Sequence, residues 1–292
     1  MKTQVKLTAL ALLFALLDSR GSSALAATTI DAANKYAYAA NLGWVDWRGD
    51  TNNGAVIGEY VCSGYIYSAN VGWIYLGSGS PANQIQYQNN SATDYGVNHD
   101  GLGHLTGYAY GANVGWITFD QTYGQPKVDL LTGKLSGAVY SANCGWISLN
   151  NASAVVQTDS IQKGALAPNG LPVAWLLTYF GTTNVYANAD ADGDGVSNAN
   201  EYLAGTSPVI GSDYLRITSV ARGNVLPNFT SLTWTSVPTR CYTIQALTAL
   251  GTTNSWADAV GYGFGVGSST FSTGNTNSTE FYRIYAYRPL MP

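Results

Sequence analysis

Gly64-Tyr-Ile-Tyr-Ser-Ala-Asn70-Val-Gly72-Trp-Ile-Tyr-Leu76 is the stretch on which the fold of this chain turns. Residue types alternate on both sides of Asn70-Val71-Gly72, the period of a strand and not of a helix. Asn-x-Gly matches a three-residue hairpin loop of two right-handed residues followed by a left-handed one, a conformation glycine adopts at little steric cost. With that loop, Ala69 faces Trp73, Tyr67 faces Tyr75 and Tyr65 lies beyond, while Ser68 opposes Ile74 and Ile66 opposes Leu76. One hairpin therefore has a Tyr/Trp face and a separate aliphatic face.

The same segment occurs four times between residues 35 and 150: KYAYAANLGWVDW from Lys35, GYIYSANVGWIYL from Gly64, GYAYGANVGWITF from Gly107 and GAVYSANCGWISL from Gly137. Asn41, Asn70, Asn113 and Asn143 open the four loops, a position where Asn bonds its own local backbone. Copies three and four repeat the division, with Tyr110 and Trp116, or Tyr140 and Trp146, on the aromatic side. Their aliphatic sides carry Ala109, Ile117 and Phe119, or Val139, Ile147 and Leu149. A lone hairpin is not stable in water, so the copies must stack or close into a common sheet assembly. The middle loop residue is apolar every time (Leu42, Val71, Val114, Cys144), so the turn tips are expected to pack against something. Asp-x-x-Gly turns after Asp100 and after Asp129 feed the last two hairpins and add a further strand to each. The stretch from Gly77 to Val97 is rich in Ser, Asn and Gln and lengthens the gap between copies two and three.

Two uses of the aromatic faces remain open. Large aromatics bury much area and pack well between repeats. Alternatively, Tyr67, Trp73, Tyr110, Trp116, Tyr140 and Trp146 form a platform on which sugar rings stack.

Residues 1–26 carry Lys2 and Lys6, then an apolar run, then Ala24-Leu25-Ala26, the pattern of a secretory signal peptide cleaved near Ala26. The apolar run is too short for a permanent anchor. The expected location is extracellular or at the cell surface, with the periplasm an alternative, and no membrane insertion. The chain has 13 basic and 17 acidic residues, and the leader removes more base than acid. Without a basic patch, nucleic acid is an unsuitable partner. Only 10% of residues are charged, which suits an all-β extracellular protein. Three cysteines, Cys62, Cys144 and Cys241, exclude a fully paired intramolecular framework. Cys62 and Cys144 are the pair within one domain; both stand where sister copies are aliphatic, which favours buried thiols over a disulfide.

Asp190-Ala-Asp192-Gly-Asp194-Gly195-Val196-Ser-Asn198-Ala-Asn-Glu201 places oxygen ligands at positions 1, 3, 5, 9 and 12 of a twelve-residue loop, with glycine at position 6. The expected cofactor is Ca2+. It would be held by Asp190, Asp192, Asp194, the Val196 carbonyl, Asn198 and Glu201. Ahead of the loop, Pro172 and Gly181 bracket a helix with Trp175, Leu176, Tyr179 and Phe180 on one stripe. Behind it, Asn198 to Ala204 reads as a second helix stopped at Gly205. From residue 212 on, alternating segments at 214–220, 231–237, 241–247 and 280–286 suggest a small β-sandwich.

The chain thus reads as mainly β. A leader (1–26) precedes a four-copy β-hairpin domain (27–157), a helix–calcium loop–helix connector (165–209) and a C-terminal β-sandwich module (212–292). The hairpin copies resemble the Asn-x-Gly-Trp-Ile repeats of secreted bacterial surface proteins, which implies export and β structure. The helix–loop–helix segment resembles an EF-hand half or one dockerin repeat, and its Asp-Gly-Asp-Gly run resembles thrombospondin type 3 calcium repeats. A dockerin has two such loops and this chain has one. The Leu232-x-Trp234 and Phe281-Tyr-Arg283 segments resemble fibronectin-like C-terminal modules of bacterial secreted proteins, which implies an accessory role.

No catalytic residues are expected. His99 and His104 read as surface polar residues, and Gly263-Phe-Gly265-Val-Gly267 as a flexible loop. The acidic residues of the repeat domain show no recognisable catalytic pairing. The expected function is that of a secreted, non-catalytic cell-surface or matrix protein, structural or adhesive and stabilised by calcium. The alternative is a carbohydrate-binding, lectin-like protein. An extracellular glycan or another surface protein would be the partner.

Overall fold

A computed structural model describes residues 28–49, 52–222, 229–247, 256–264, 267–274 and 281–291; the leader and the Gly265-Val266 part of the glycine-rich segment lie outside the described residues. The first twelve strands are β1 (Ile30–Ala39), β2 (Gly43–Asp46), β3 (Ser63–Ser68), β4 (Gly72–Ser78), β5 (Val97–His99), β6 (Leu105–Gly111), β7 (Gly115–Phe119), β8 (Lys127–Val128), β9 (Leu135–Ser136), β10 (Ala138–Ser141), β11 (Gly145–Ser148) and β12 (Val156–Thr158). Hairpins β1–β2, β3–β4, β6–β7 and β10–β11 pair antiparallel, side by side, and β1 returns to β11 through Tyr38 and Ser148. The sheet closes into an up-and-down barrel, which removes the exposed edges that open sheets must protect.

The hairpin register differs from the sequence reading. Tyr67 pairs with Trp73, Ile66 with Ile74 and Tyr65 with Tyr75, and the other three copies show the same offset. The loop is Ala69-Asn70-Val71, and Gly72 is already the first strand residue, paired with Ser68. The left-handed glycine, with φ of 74–79° in all four copies, opens the second strand, so the loop closes one residue earlier. Face assignments survive this shift because every pairing moved by a whole side-chain period.

The asparagines also act differently from expectation. Asn70 Nδ2 donates to the Leu42 carbonyl (2.9 Å), Asn113 to Val71 (3.0 Å), Asn143 to Val114 (3.0 Å) and Asn41 to Cys144 (3.3 Å). Each tip is thus bonded to the preceding one, and the fourth hands back to the first. The carbonyl acceptors belong to Leu42, Val71, Val114 and Cys144, whose side chains turn inward and plug this end of the barrel.

Inside, the pairs Ala37/Val45, Ile66/Ile74, Ala109/Ile117 and Val139/Ile147 form one layer, each residue at most 4% exposed. Leu76, Phe119, Leu149 and Trp47 fill the next. A barrel of this strand number has just enough interior for side chains, so it is a packed core with no channel. Toward the tips the layer is small: Ala39, Ser68, Gly111 and Ser141. A Cβ on Gly111 would sit 2.8 Å from Val114 Cγ1, so the taper needs glycine there. Cys62, Cys144 and Cys241 are buried free thiols.

His99 is buried, which corrects its reading as a surface residue. Its Nδ1–H donates to the Gly58 carbonyl at 2.8 Å, and Nε2 is buried without a partner. His104 is exposed and pairs with Asp100 at 2.6 Å.

Helices α1 (Val173–Phe180) and α2 (Asn198–Ala204) follow the barrel. α1 starts after Pro172 and stops at left-handed Gly181; α2 is capped by the Ser197 side chain and stopped by Gly205. No helix among the described residues is long and apolar enough to cross a membrane. The last strands are β13 (Ile217–Arg222), β14 (Phe229–Ser236), β15 (Cys241–Leu247), β16 (Ala257–Phe264), β17 (Gly267–Gly274) and β18 (Phe281–Tyr287). They form two three-stranded sheets, β13-β14-β17 and β16-β15-β18, sharing the buried cluster of Leu232, Trp234, Tyr242, Ile244 and Ala286.

Two stability predictions follow from burial. Ile74→Ala opens a cavity inside a closed barrel and is expected to cost about 2–5 kcal/mol, while Trp73→Ala on the outer face costs about 1 kcal/mol; urea unfolding of both variants checks the ranking. Burial, the largest influence, holds the His99 pKa below its usual value, although the hydrogen bond to Gly58 and then the Asp100 and Glu59 charges pull the other way. The unfolded chain then takes up the proton first, so stability is full above about pH 6.5 and falls as pH drops below it. In His99→Gln the thermal midpoint is expected to depend less on pH between about 7.5 and 5.5.

Candidate ligand and cation sites

The aromatic faces of all four hairpins point outward. Tyr67–Trp73, Tyr110–Trp116 and Tyr140–Trp146 lie directly across the strands, with ring centroids 4.9, 4.9 and 5.0 Å apart, each pair tilted by 58°. The tryptophans are 45–47% exposed and these tyrosines 38%. All six residues singled out in the sequence therefore lie on one outer surface. Tyr38–Trp44 belongs to the same belt, at 5.2 Å, with Trp44 49% exposed; the repeat itself was the signal that could have found it. Tyr36, Tyr65 and Tyr108 flank the tryptophans of the first three hairpins, and Ala138 takes that place in the fourth. Tyr95 joins the belt from outside the repeats, 4.8 Å from Trp116 and nearly perpendicular to it. Nothing in the composition of its segment marked it.

The segment between the helices gathers a second group of side chains. The Asp190, Asp192 and Asp194 carboxylates each bring one oxygen within 4.8 Å of the others. Gly193 and Gly195, with φ of 81° and 92°, bend the chain so that the Gly193, Asp194 and Gly195 N–H groups donate to Asp190. Those donors, Gly195 first, hold the Asp190 pKa below its usual value. Val196 N–H donates to Asp194 Oδ1, which fixes the backbone at position 7. Asn198 donates to the Tyr186 carbonyl through Nδ2, leaving Oδ1 free of donors. Glu201 comes from the first turn of α2 and is fully buried.

Asp192 Oδ2, Asp194 Oδ2, Asn198 Oδ1 and both Glu201 carboxylate oxygens are buried with no hydrogen-bond partner. Burying acceptors without donors costs free energy, the more so for carboxylates. Burial first, then the nearby Asp192, Asp194 and Asp190 charges, push the Glu201 pKa up to about 8. A cation amid these oxygens would offset both costs. The donor set is all oxygen, which fits a hard divalent cation and not a soft one.

Immediately after Glu201, Tyr202 reaches the barrel. Its hydroxyl donates to Glu59 Oε2 at 2.7 Å, and Arg288, just after β18, pairs with Glu59 Oε1. The Arg288 guanidinium lies 4.3 Å above the Tyr202 ring. Arg240 donates to the Leu203 and Tyr202 carbonyls (2.7 and 3.0 Å), satisfying the end of α2 from the C-terminal sheets. Burial, reinforced by Arg288, lowers the Arg240 pKa to about 10. Beyond Arg288, Leu290 and Met291 pack on the barrel core. Barrel, α2 and C-terminal sheets thus meet at one buried ionic cluster.

No family model, no curated protein and no solved structure matches this chain.

Removing one partner of the cluster leaves a buried charge unpaired. Arg288→Met is expected to cost about 3–5 kcal/mol and Tyr202→Phe about 1–2 kcal/mol, both read by urea unfolding.

Proposed function

We propose that this protein is an extracellular, non-catalytic adhesion or matrix protein, exported by its leader and ordered by Ca2+, with the aromatic belt as its contact surface. The observation that carries the reading is the belt: four exposed Tyr–Trp pairs repeated around a barrel whose interior is full. A filled barrel offers no internal cavity for a substrate, so binding chemistry belongs on the outside. Its carboxylates support the non-catalytic reading by the tasks they perform. Asp31, Asp100, Asp120 and Asp129 accept N–H groups of their own turns, Asp46 pairs with Lys35, and Glu59 is held by Tyr202 and Arg288.

Ca2+ is the cation proposed for Asp190, Asp192, Asp194, Val196, Asn198 and Glu201, because the oxygen spacing suits its coordination number. On this reading it rigidifies the connector between the barrel and a C-terminal β-sandwich of fibronectin-like type. A lectin-like role is the second reading, favoured by the exposure of the belt, since inter-repeat packing would have buried those rings.

Limited proteolysis of the full chain with Ca2+ and with chelator tests the connector role. Calcium removal is expected to open cleavage between residues 180 and 215; unchanged cleavage overturns it. Glu201→Gln is expected to weaken Ca2+ binding at least about tenfold by calorimetry. Strong acrylamide quenching of tryptophan emission is expected from the belt, and weak quenching would count against any contact role for it.

A further inference from the structure

We propose a site for a neutral saccharide on the third hairpin, in the groove between Trp116, Tyr108 and the segment 89–95. The proposal rests on the lectin-like reading and narrows it to one hairpin and to uncharged sugars.

The four hairpins are not equivalent on their outer face. Before the second hairpin, the connecting loop runs so close to the belt that a Cβ on Gly49 would lie 3.1 Å from Trp73 Cζ3. Before the fourth, a Cβ on Gly124 would lie 3.0 Å from Trp146 Cζ3. Before the third, the long 77–97 segment takes this place and meets the Trp116 ring edge-on through Tyr95. An open groove of about 510 Å3 results, lined by Asn89 to Ala92, Tyr95, Tyr108 and Trp116.

The wall opposite Trp116 is built. Tyr87 is buried, accepting from the Gly79 N–H (2.6 Å) and donating to the Cys62 carbonyl (3.2 Å). Asn98 pins it further, accepting from the Tyr87 N–H and donating to its carbonyl. Asn89 Oδ1 accepts from the Gly96 N–H at 3.0 Å. These bonds fix both ends of the 89–95 segment before any ligand arrives, which lowers the entropic cost of binding.

The chemistry of the lining selects the ligand. Trp116 meets Tyr95 at 83° and Tyr108 at 74°, so the three rings form a corner that suits a compact ring better than an extended helix. Trp116 is 47% exposed and offers an apolar surface to the C–H groups of a pyranose. Asn90 is exposed, and its amide makes no hydrogen bond among the described residues, leaving a donor and an acceptor for sugar hydroxyls. No lining side chain is charged, so an acidic glycan gains no ion pair here. Few polar groups converging on an aromatic surface is the usual composition of a small-ligand site.

The full chain is titrated by calorimetry with cellohexaose, mannohexaose and chitohexaose, with polygalacturonate and a proline-rich decapeptide as the competing chemistries. One site for at least one neutral hexasaccharide is expected. Trp116→Ala should weaken it by about tenfold or more, Asn90→Ala by several-fold, and Trp146→Ala by no more than about twofold. Near-UV circular dichroism checks the variants, and surface-exposed Asn90→Ala carries the test should Trp116→Ala alter the fold. Equal losses in Trp116→Ala and Trp146→Ala would overturn the groove while leaving the lectin-like reading standing. Preference for polygalacturonate or the peptide would overturn the neutral-sugar assignment. No binding of any hexasaccharide would sink both the groove and the lectin-like reading.

Discussion

Everything in the barrel depends on four side-chain amides. Each tip asparagine donates to the middle carbonyl of the neighbouring tip, and the bond from Asn41 to Cys144 joins the last hairpin to the first. Singly, such a bond is worth about 1 kcal/mol. Arranged head to tail they fix the spacing of the hairpins, turn the apolar tip residues inward and set the taper that Gly111 and Ser141 must fit. Once the ring is closed and filled with aliphatic side chains, the aromatic residues of every hairpin have only the outside left. The belt is thus a consequence of closure and needs no separate instruction.

The legible parts of the fold were those written within one local segment. Period-two alternation in Gly64–Leu76 gave the two faces, and Gly205 gave the end of α2, because a glycine stop is local. The register was misplaced because a left-handed glycine can end a loop or open a strand, and composition does not distinguish them. Closure could not be read from one copy, since the asparagine partner lies in another. β16 and β17 were passed over because Gly261, Gly263 and Gly267 weaken the strand signal. His99 looks polar by type, but its ring donates to a backbone carbonyl from within the core. Among the candidate site residues, the gathering of Asp190, Asp192 and Asp194 was legible because these carboxylates lie close together in sequence. Tyr95 was not, because its role depends on where the 77–97 segment lands.

The acidic loop and the ionic cluster stand one residue apart. Glu201 turns its carboxylate to the loop, and Tyr202 turns its hydroxyl to Glu59 of the barrel and its carbonyl to Arg240 of the C-terminal sheets. Both residues belong to α2, a helix of less than two turns whose stability comes from its partners on each side. Ordering the loop and docking the modules therefore draw on the same short element.

The closed tip ring also sets a copy number. In an open solenoid, another repeat lengthens the stack and disturbs only its neighbours. Here every hairpin has two occupied edges, and the interior is filled to its present width. A fifth copy would have to break a bond such as that from Asn41 to Cys144, widen the barrel and leave its core underfilled; a missing copy would crowd it. Gene duplication of this module can extend such a chain by adding whole barrels in series, but not by adding hairpins to one.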